Sequence, residues 1–357
     1  RLNSARSSSV TRPSVFAVTS AKAMCLIEKT TGREICSKNE DEKLPMASTT
    51  KIVTALTVLE NCDNLDEKFK VDDRAVGVPG TSIYLIKGEE LTVRELLYGM
   101  MLVSGNDAAT ALALHISNSI EEFCNLMQET ALKAGATNSS FSNPHGLDEE
   151  GHYTTAHDLA LIAAKALQNP TFAEIVSTCE CKISGNEKNP IRYLKNKNKL
   201  LNIFQGATGV KTGFTDDAGR CFVGSAEREG TEFVCVLFNC GPMFEECSSL
   251  LEEAFKNYSL IEIVPSYNYI SKVGVIDGRE EDVKVYSRKG FSYSLSEDEK
   301  NRIVYEYNIP ENITAPIEKD SVVGNFNIYL DGELLFSENV YAMEEIKSVN
   351  FLENLKE

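Results

Sequence analysis

The spacing of hydrophobic and polar residues changes several times along the chain. Two alternating runs in residues 15–39 flank the sequence KTTGRE, in which Gly32 suits the positive φ of a tight turn. Residues 48–62 then place Ile52 and Leu56 on one side of a helix. These patterns predict a β-hairpin followed by an amphipathic helix.

The same helical spacing predicts four further helices. Residues 92–116 contain two helical runs separated by residues 104–106, and residues 120–136 contain one that ends at a glycine. Residues 155–167 contain another, for which Thr155 is a suitable N-cap.

From about residue 178 the hydrophobic residues alternate with the period of two that is typical of β-strands. A closing helix is predicted over residues 248–258, after the last of these strands. A hairpin, several helices, strands and a helix in that order predict an α+β fold, with helices on both sides of an antiparallel sheet. The predicted strands are 179–184, 191–196, 218–229 and 231–241.

The alternating runs become shorter after Val264-Pro265, where we place a linker. Short strands separated by turn residues predict a small all-β domain in this part. We therefore predict a disordered or extended lead-in over residues 1–14, an α+β domain over residues 15–263 and a β-rich domain over residues 264–357.

Composition and charge exclude some classes of function. The 357 residues are 42% hydrophobic, which is enough for one large and one smaller domain. The formal net charge is −17, so no general attraction to nucleic acid or anionic lipid is expected. No stretch reaches the roughly 18 consecutive apolar residues of a membrane span. The start at Arg1, without a methionine, is what we expect of a mature or trimmed form from which a signal peptide could have been removed.

The ten cysteines are spread along the chain. Cys25 and Cys235 lie in apolar runs, where a thiol acts as a small buried hydrophobic group. Cys179 and Cys181 are too close in sequence to pair easily. We therefore predict mostly free thiols. Four histidines are few for a metal site, so neither a metal nor another cofactor is expected.

Ser48 and Lys51 form the first of three short motifs that carry candidate chemistry. Residues three apart share one face of a helix, so the Lys51 amine can reach the Ser48 hydroxyl as a base reaches a nucleophile. The helix N-terminus would also favour a developing negative charge. The alternative interpretation is a serine N-cap followed by a lysine in solvent.

The second and third motifs are weak when each is taken alone. Ser104 and Asn106 either belong to an ordinary interhelical loop, or present a hydroxyl that relays a proton and an amide that binds a substrate amide. Lys211 and Thr212 either lie at an exposed strand end or point into a cleft and bind a carboxylate. In the second case Gly213 lets a substrate backbone approach the strand closely.

The joint occurrence of the three motifs is more specific than any one of them. They appear in one order, with Ser48 opening a helix, Ser104 in an interhelical loop and Lys211 at the beginning of a strand. This combination is the set found in penicillin-binding proteins and serine β-lactamases. It favours Ser48 as a nucleophile over Ser48 as a helix cap.

From about residue 15 to its end the chain resembles the D-alanyl-D-alanine carboxypeptidases, which are low-molecular-mass penicillin-binding proteins. The stretches LPMASTTKIVTAL, VSGNDAATALA, NPHGLDEEGHYTTAHDLA and GATGVKTGFTDDAG are similar to those that this family carries. The layout of an α+β domain and a small β-rich domain is similar too. The resemblance implies a serine D,D-peptidase catalytic domain over residues 15–263.

By this resemblance Ser48 would be the acylated nucleophile and Lys51 its general base. Lys51 would have to be neutral, and desolvation and the charge of Lys211 would both lower its pKa. Ser104 would pass a proton to the leaving amine, and Asn106 would hold the substrate peptide group. The implied reaction removes the terminal D-alanine of a peptidoglycan stem pentapeptide through an acyl-enzyme, which water then hydrolyses.

The resemblance also implies how the ends of the substrate are bound. Lys211 and Thr212 would bind the terminal carboxylate, and the backbone N–H groups of Ser48 and Phe214 would form the oxyanion hole. Some relatives have an arginine after the strand TEFVCVLF, whereas this chain has NCGPMFEEC there. Either the lysine and threonine suffice for the carboxylate, or Arg220 substitutes for the missing arginine.

Other proteins share the motif set. A β-lactamase must deacylate quickly, and class A enzymes use a glutamate and its water, but no Glu-x-x-Leu-Asn stretch lies between Ser104 and Lys211. A non-catalytic peptidoglycan-binding protein would have no chemical need for the pair formed by Ser48 and Lys51. A transpeptidase or endopeptidase stays open, although size and domain layout favour a carboxypeptidase.

The resemblance implies partners and a location as well. The partners would be a stem peptide ending in D-Ala-D-Ala and β-lactams as covalent inhibitors, with export to the outer face of the cytoplasmic membrane. Relatives often end in a membrane-anchoring helix, but residues 344–357 are too acidic and short to predict one.

The β-rich domain is expected to be a spacer or to bind a partner. His145, His152 and His157 are expected in a structured loop near the cleft, with His157 and Asp158 capping the helix that follows.

Overall fold

The computed structural model describes residues 19–187 and 189–349. The lead-in predicted over residues 1–14 lies outside this part of the chain. The described residues form two compact units that divide between Lys256 and Asn257. Each unit is described below by itself.

The first unit is built around an antiparallel sheet. Its strands are β1 (Ala23–Glu28), β2 (Glu34–Lys38), β3 (Lys68–Lys70), β4 (Glu90–Thr92), β5 (Glu180–Ser184), β6 (Ile191–Lys195), β7 (Ala207–Thr215), β8 (Gly219–Arg228) and β9 (Thr231–Phe238). Five of them form the sheet in the order β2-β1-β9-β8-β7, while β3 pairs with β4 and β5 pairs with β6. The central strand β9 is apolar at most positions and buried along its whole length, as expected for a strand that is covered on both faces.

The helices of the first unit are α1 (Lys51–Asn61), α2 (Val93–Leu102), α3 (Asn106–Ile116), α4 (Ile120–Lys133), α5 (Ala156–Leu167), α6 (Pro170–Ser177), α7 (Leu200–Ile203) and α8 (Met243–Asn257). The first eight residues of α1 are all buried, which makes it the central helix of the unit. None of the helices over the described residues is long and apolar enough to cross a membrane.

Helices cover both faces of the sheet. Successive side chains of a strand point to opposite faces, so two neighbouring residues of β8 show what packs on each side. On one face the ring of Phe222 in β8 contacts that of Phe244 in α8, with centroids 5.0 Å apart. The next residue, Val223, belongs to the main core, to which α5 contributes Leu159 and Ile162. The predicted α+β architecture is confirmed.

Most of the predicted elements are also confirmed. The KTTGRE hairpin is formed by β1 and β2, with Gly32 at φ +68°, and the helical pattern of residues 92–116 is divided between α2 and α3. The placement of Lys211 at the beginning of a strand is wrong, because it lies in the middle of β7. Residues 207–210 read Ala-Thr-Gly-Val and show no alternation from which the start of the strand could be recognised.

The second unit is β-rich, as predicted. Its elements are β10 (Ser259–Val264), β11 (Tyr269–Ile276), β12 (Asp282–Ser287), β13 (Phe291–Leu295), α9 (Glu297–Lys300), β14 (Ile303–Asn308), β15 (Asn312–Thr314), β16 (Val322–Leu330) and β17 (Glu333–Ala342). A sheet with the order β14-β16-β17-β12-β11-β15 encloses a core that includes Val283, Phe326 and Val340, and β10 pairs with β13. The division between the units precedes β10, whereas the predicted linker at Val264-Pro265 follows it. The exact limits of the two domains stay predictions.

Six cysteines are buried free thiols: Cys25, Cys124, Cys221, Cys235, Cys240 and Cys247. Burial raises the pKa of the Cys25 thiol well above its usual value. A hydrogen bond with Cys247 and then burial do the same for the pKa of Cys235. Because the thiolate is the reactive form, Cys25 and Cys235 are chemically quiet parts of the core.

The N-terminus of α5 tests the predicted cap. The Thr155 Oγ1 accepts a hydrogen bond of 3.0 Å from the backbone N–H of Asp158, and Thr155 is buried. Thr155→Ala is expected to lower the free energy of unfolding by about 1 kcal/mol, whereas Thr155→Ser should retain most of it because the hydroxyl remains. Urea denaturation would measure both, and equal stability of the two variants would contradict the capping role.

Candidate active site

Ser48 and Lys51 lie at the beginning of the central helix α1. Ser48 belongs to the short 3₁₀ turn Ala47–Thr50, and Lys51 is the first residue of α1. The Lys51 Nζ lies 2.9 Å from the Ser48 Oγ. The Ser48 hydroxyl caps neither helix, since the N-cap positions belong to Met46 and Thr50. The pair therefore has the geometry of a hydroxyl and its base rather than that of a helix cap.

Three oxygen atoms surround the Lys51 amine, whose residue has no accessible surface. Besides the Ser48 Oγ, these are the Asn106 Oδ1 at 2.7 Å and the backbone carbonyl oxygen of His145 at 2.6 Å. A buried amine needs hydrogen-bond partners in either protonation state. The two further acceptors therefore hold the Nζ against the serine hydroxyl.

The surroundings of Lys51 favour its neutral form. Burial lowers the pKa of Lys51 well below its usual range, and the positive charges of Lys211 and Lys197 lower it further. The carboxylate of Asp107 acts in the opposite direction. Desolvation has this effect because it penalises the charged ammonium and not the neutral amine. The neutral amine can accept a proton from a hydroxyl.

Ser104 lies in the turn between α2 and α3, and Asn106 is the first residue of α3. Ser104 has φ +68°, a left-handed conformation that is costly for a residue with a Cβ and is concentrated at functional sites. The Asn106 Nδ2 donates to the carbonyl oxygen of Pro79 at 2.7 Å, and its backbone N–H donates to that of Thr81 at 2.7 Å. Because the Oδ1 accepts from Lys51, both ends of the Asn106 amide are held in place.

Lys211 and Thr212 lie in β7, at the edge of the sheet. Lys211 is buried, and its Nζ donates to the carbonyl oxygen of Thr212 at 2.8 Å. Burial, and then the positive charge of Lys197, lower the pKa of Lys211 to about 7. A nearby anion would favour the charged form of this lysine.

Gly213 brings β7 against the turn that carries Ser48. A Cβ at this position would lie 2.9 Å from the backbone nitrogen of Ser48 and 3.1 Å from the Cβ of Ala47. From the sequence we expected the missing side chain of Gly213 to make room for a substrate backbone. In the structure the turn that carries Ser48 lies next to this position instead. Phe214 follows with a side chain that is 63% exposed. Since β7 is an edge strand, alternate N–H groups point away from β8 and can bind a ligand.

Residues 143–146 complete the surroundings of Lys51, and sequence patterns did not identify their role. Gly146 has φ +91°, and a Cβ there would collide with the carbonyl oxygen of Ala47. The Asn143 Oδ1 accepts from the backbone N–H of Gly146 at 2.7 Å, which places the neighbouring His145 carbonyl on the lysine. Gly146 itself was the signal in the sequence that could have pointed to this turn, because a positive φ favours glycine.

Of the three histidines that we expected near the cleft, two adjoin the site, and both are neutral. The His152 Nδ1 accepts from the backbone N–H of Ser142 at 3.0 Å, and its Nε2 lies 2.8 Å from the Thr50 Oγ1. Burial and the charge of Lys51 lower the pKa of His152 to about 4, while burial first and then Lys51 lower that of His145 to about 3. The His152 ring thus supports the turn before α1.

His157 lies outside this group of residues. Its backbone N–H donates to the carbonyl oxygen of Glu40 at 3.1 Å. The expected cap formed by His157 and Asp158 is not observed, because the Thr155 side chain is the cap of α5. The Asp158 carboxylate instead accepts from the Ser139 Oγ at 2.7 Å.

Lys197 is a third lysine near the site that the motifs did not include. Its backbone N–H donates to the carbonyl oxygen of Leu102 at 3.1 Å, close to the turn that carries Ser104. It precedes α7 in a polar Asn/Lys-rich segment, so only its proximity to two buried lysines reveals it. Arg220 is exposed and lies directly opposite Phe214 in the pairing of β7 with β8.

Comparisons with known families agree with the fold. The family model described as D-alanyl-D-alanine carboxypeptidase matches residues 8–241. A second model, described as the C-terminal domain of penicillin-binding protein 5, matches residues 258–348.

Named relatives match along most of the chain. D-alanyl-D-alanine carboxypeptidase DacF of Bacillus subtilis is 34% identical, with 94% of this chain and 88% of the relative covered. D-alanyl-D-alanine carboxypeptidase DacC of Escherichia coli is 30% identical, with 93% and 85% covered.

Solved structures show the same relationship. Penicillin-binding protein 5 from Haemophilus influenzae has a TM-score of 0.78 at 25% identity, covering 93% of this chain and 99% of that one. The Streptomyces K15 DD-transpeptidase has a TM-score of 0.63 at 32% identity, covering 68% and 99%. This chain belongs to the D-alanyl-D-alanine carboxypeptidase family and is a serine-type carboxypeptidase of the penicillin-binding-protein fold.

Proposed function

We propose that Ser48 is the nucleophile with which this carboxypeptidase removes the terminal D-alanine of peptidoglycan stem pentapeptides. One observation carries the proposal: the buried Lys51 Nζ lies 2.9 Å from the Ser48 Oγ, where desolvation favours a neutral amine. A serine becomes nucleophilic when an adjacent base can take its proton.

In the acylation step Lys51 takes the proton of Ser48 as the Oγ attacks the carbonyl carbon of the penultimate D-alanine. The oxyanion is bound by the backbone N–H groups of Ser48 and Phe214. Gly213 supports this arrangement, because its lack of a side chain lets β7 lie against the Ser48 turn. Collapse of the intermediate breaks the peptide bond and leaves an ester on Ser48.

The leaving amine needs a proton, and the substrate amide needs a donor. Ser104 passes the proton to the amine from its position in the turn before Asn106. The Asn106 amide nitrogen carries two hydrogens, and one of them is directed to the Pro79 carbonyl. The second is available to the carbonyl oxygen of the substrate peptide group.

The terminal carboxylate of the substrate pairs with Lys211 and Thr212. Lys211 has a pKa of about 7 when the site holds no anion, and a bound carboxylate raises it by favouring the charged form. Arg220 is near enough to the end of β7 to take part, since it is paired with Phe214 across the strands. A specific carboxylate site distinguishes a carboxypeptidase from an endopeptidase.

Water then hydrolyses the ester, and Lys51 acts again as the base. A β-lactam acylates Ser48 in the same way, but its leaving group stays attached, so the adduct persists. Transfer of the acyl group to an amine is the second candidate reaction. It is favoured by the likeness to the solved K15 DD-transpeptidase.

We also propose that the enzyme acts outside the cytoplasm, at the outer face of the cytoplasmic membrane, where stem peptides occur. The β-rich domain has no assigned chemistry, and its proposed role is to act as a spacer or to bind a partner. A protein with a formal charge of −17 would be repelled by anionic lipid. Any membrane association would therefore need a separate anchor.

The nucleophile is tested by intact-protein mass spectrometry after incubation with a penicillin. The wild-type protein is expected to gain one penicilloyl group that persists, and Ser48→Ala none, because the adduct requires the hydroxyl. Release of D-alanine from a peptide ending in D-Ala-D-Ala should be lost in the same variant. An adduct on Ser48→Ala would disprove the assignment, and rapid loss of the wild-type adduct would indicate a β-lactamase.

The close approach of β7 to the Ser48 turn gives a second test. Gly213→Ala is expected to slow acylation by penicillin about 10–100-fold, because the added Cβ must displace the Ser48 backbone. Gly241→Ala is the matched control, since nothing lies within 4 Å of a Cβ there. Stopped-flow measurement with a chromogenic β-lactam would compare them. A Gly213→Ala rate equal to that of the control would refute the packing argument.

The pKa of Lys211 predicts the pH dependence. Since it is about 7 in the free enzyme, kcat/KM for a carboxylate substrate should fall as the pH rises through neutrality and the lysine loses its charge. A peptide with the same sequence but a C-terminal amide should lack this fall, because no carboxylate has to be paired. Both are measured from about pH 5 to about pH 10. The same alkaline limb for both peptides would exclude Lys211 as the carboxylate ligand.

A further inference from the structure

The loop that precedes β4 contacts Asn106 through two carbonyl groups. Pro79 accepts from the Asn106 Nδ2 and Thr81 accepts from its backbone N–H, both at 2.7 Å. A Cβ on Gly80 would lie 2.6 Å from the same Nδ2, so the loop backbone lies directly against the amide. The position of this loop therefore determines the position of the amide that contacts Lys51.

Asp107, the residue after Asn106, binds N–H groups of this loop through its carboxylate. Its carboxylate accepts from the Ser82 Oγ at 2.6 Å and from the backbone N–H groups of Ile83 and Leu85, each at 3.0 Å. The residue is only 1% exposed. Hydrogen bonds to a buried carboxylate are stronger than those between neutral groups, so this side chain can order a loop that has no regular secondary structure.

Arg192 of β6 binds carbonyl groups of the same loop through its guanidinium. Its Nε donates to the Ile83 carbonyl at 2.8 Å and its Nη2 to the Tyr84 carbonyl at 3.2 Å. The guanidinium is itself fixed by Glu89, with bonds of 2.6 and 2.9 Å. Ile83 thus has its N–H bound by Asp107 and its C=O bound by Arg192.

We propose that Asp107 is a positioning residue for the carboxypeptidase reaction. Its carboxylate, opposed by Arg192, fixes residues 79–85 so that they orient Asn106 between Lys51 and the substrate. The inference rests on the proposed functions of Asn106 and Lys51. Asp107 touches neither the reacting atoms nor Lys51, and it acts through the loop and through its charge.

The charge of Asp107 provides a readout that a purely structural role would not change. The groups that act on the pKa of Lys51 are Lys211 and Lys197, which lower it, and Asp107, which raises it; the neutral rings of His145 and His152 also lie nearby. Removing the negative charge lowers the pKa of Lys51 further. The acid limb of kcat/KM, where Lys51 becomes protonated, then moves to lower pH.

The test is Asp107→Asn, which keeps the shape of the side chain but replaces one acceptor oxygen with a donor. The Asn amide cannot accept from Ser82, Ile83 and Leu85 together, so the loop shifts. Acylation by penicillin and kcat are expected to fall about 10–100-fold, with a smaller change in KM, and the acid limb should move to lower pH.

Asp158→Asn is the matched control. Asp158 is also 1% exposed and accepts from a neighbouring loop, through the Asn138 backbone N–H at 2.6 Å and the Ser139 Oγ at 2.7 Å. This variant is expected to lose stability, but to keep the kcat and the acid limb of the wild type. If Asp107→Asn behaved in the same way, the positioning role would be overturned.

Ser82→Ala keeps the proposal testable if Asp107→Asn does not fold. It removes one hydrogen bond to the carboxylate but leaves the charge, so a few-fold loss of acylation rate without a shift of the acid limb is expected. A wild-type rate in Ser82→Ala would count against the proposal. The wild-type adduct on Ser48 is measured in parallel, so a wrong nucleophile and a wrong role for Asp107 give different results.

Discussion

The chemistry proposed for this protein depends on one buried amine. Lys51 is the first residue of a helix whose first eight residues are buried, and its Nζ is 2.9 Å from the Ser48 hydroxyl. Burying a lysine is costly, and that cost makes the amine a usable base, because desolvation and the charges of Lys211 and Lys197 disfavour its proton. The other features of the site supply the contacts without which this amine would be unsatisfied or misplaced.

Those contacts come from three distant parts of the chain. The beginning of α3 supplies the amide of Asn106, residues 143–146 supply the carbonyl of His145, and β7 lies against the Ser48 turn at Gly213. The close approaches require special backbone conformations, seen in Gly146 at φ +91° and in Ser104 at φ +68°. Strain at such positions is sustained by the packing of the surrounding core.

Much of the fold could be predicted from local patterns, because burial imposes a period on the sequence. The hairpin at Gly32, the two helices on either side of Ser104 and the cap at Thr155 all follow from spacing, turn chemistry and capping. The start of β7 could not be located, because the small residues before Lys211 leave no periodic signal. Lys197 could not be assigned to the site either, since nothing in its neighbourhood in the sequence distinguishes it from a solvent-exposed lysine.

The sequence by itself determined the chemical groups: a serine with a lysine one helical turn later, a Ser-x-Asn turn, and a Lys-Thr-Gly strand in a recognisable order. Only the tertiary structure decided that these groups share one site. It also placed the Asp107 carboxylate on the loop that holds Asn106, the His145 carbonyl on Lys51, and Gly146 against Ala47. The physical reason is that desolvation and hydrogen bonding depend on distances between segments far apart in the chain, whereas a motif records only residue types and their local spacing.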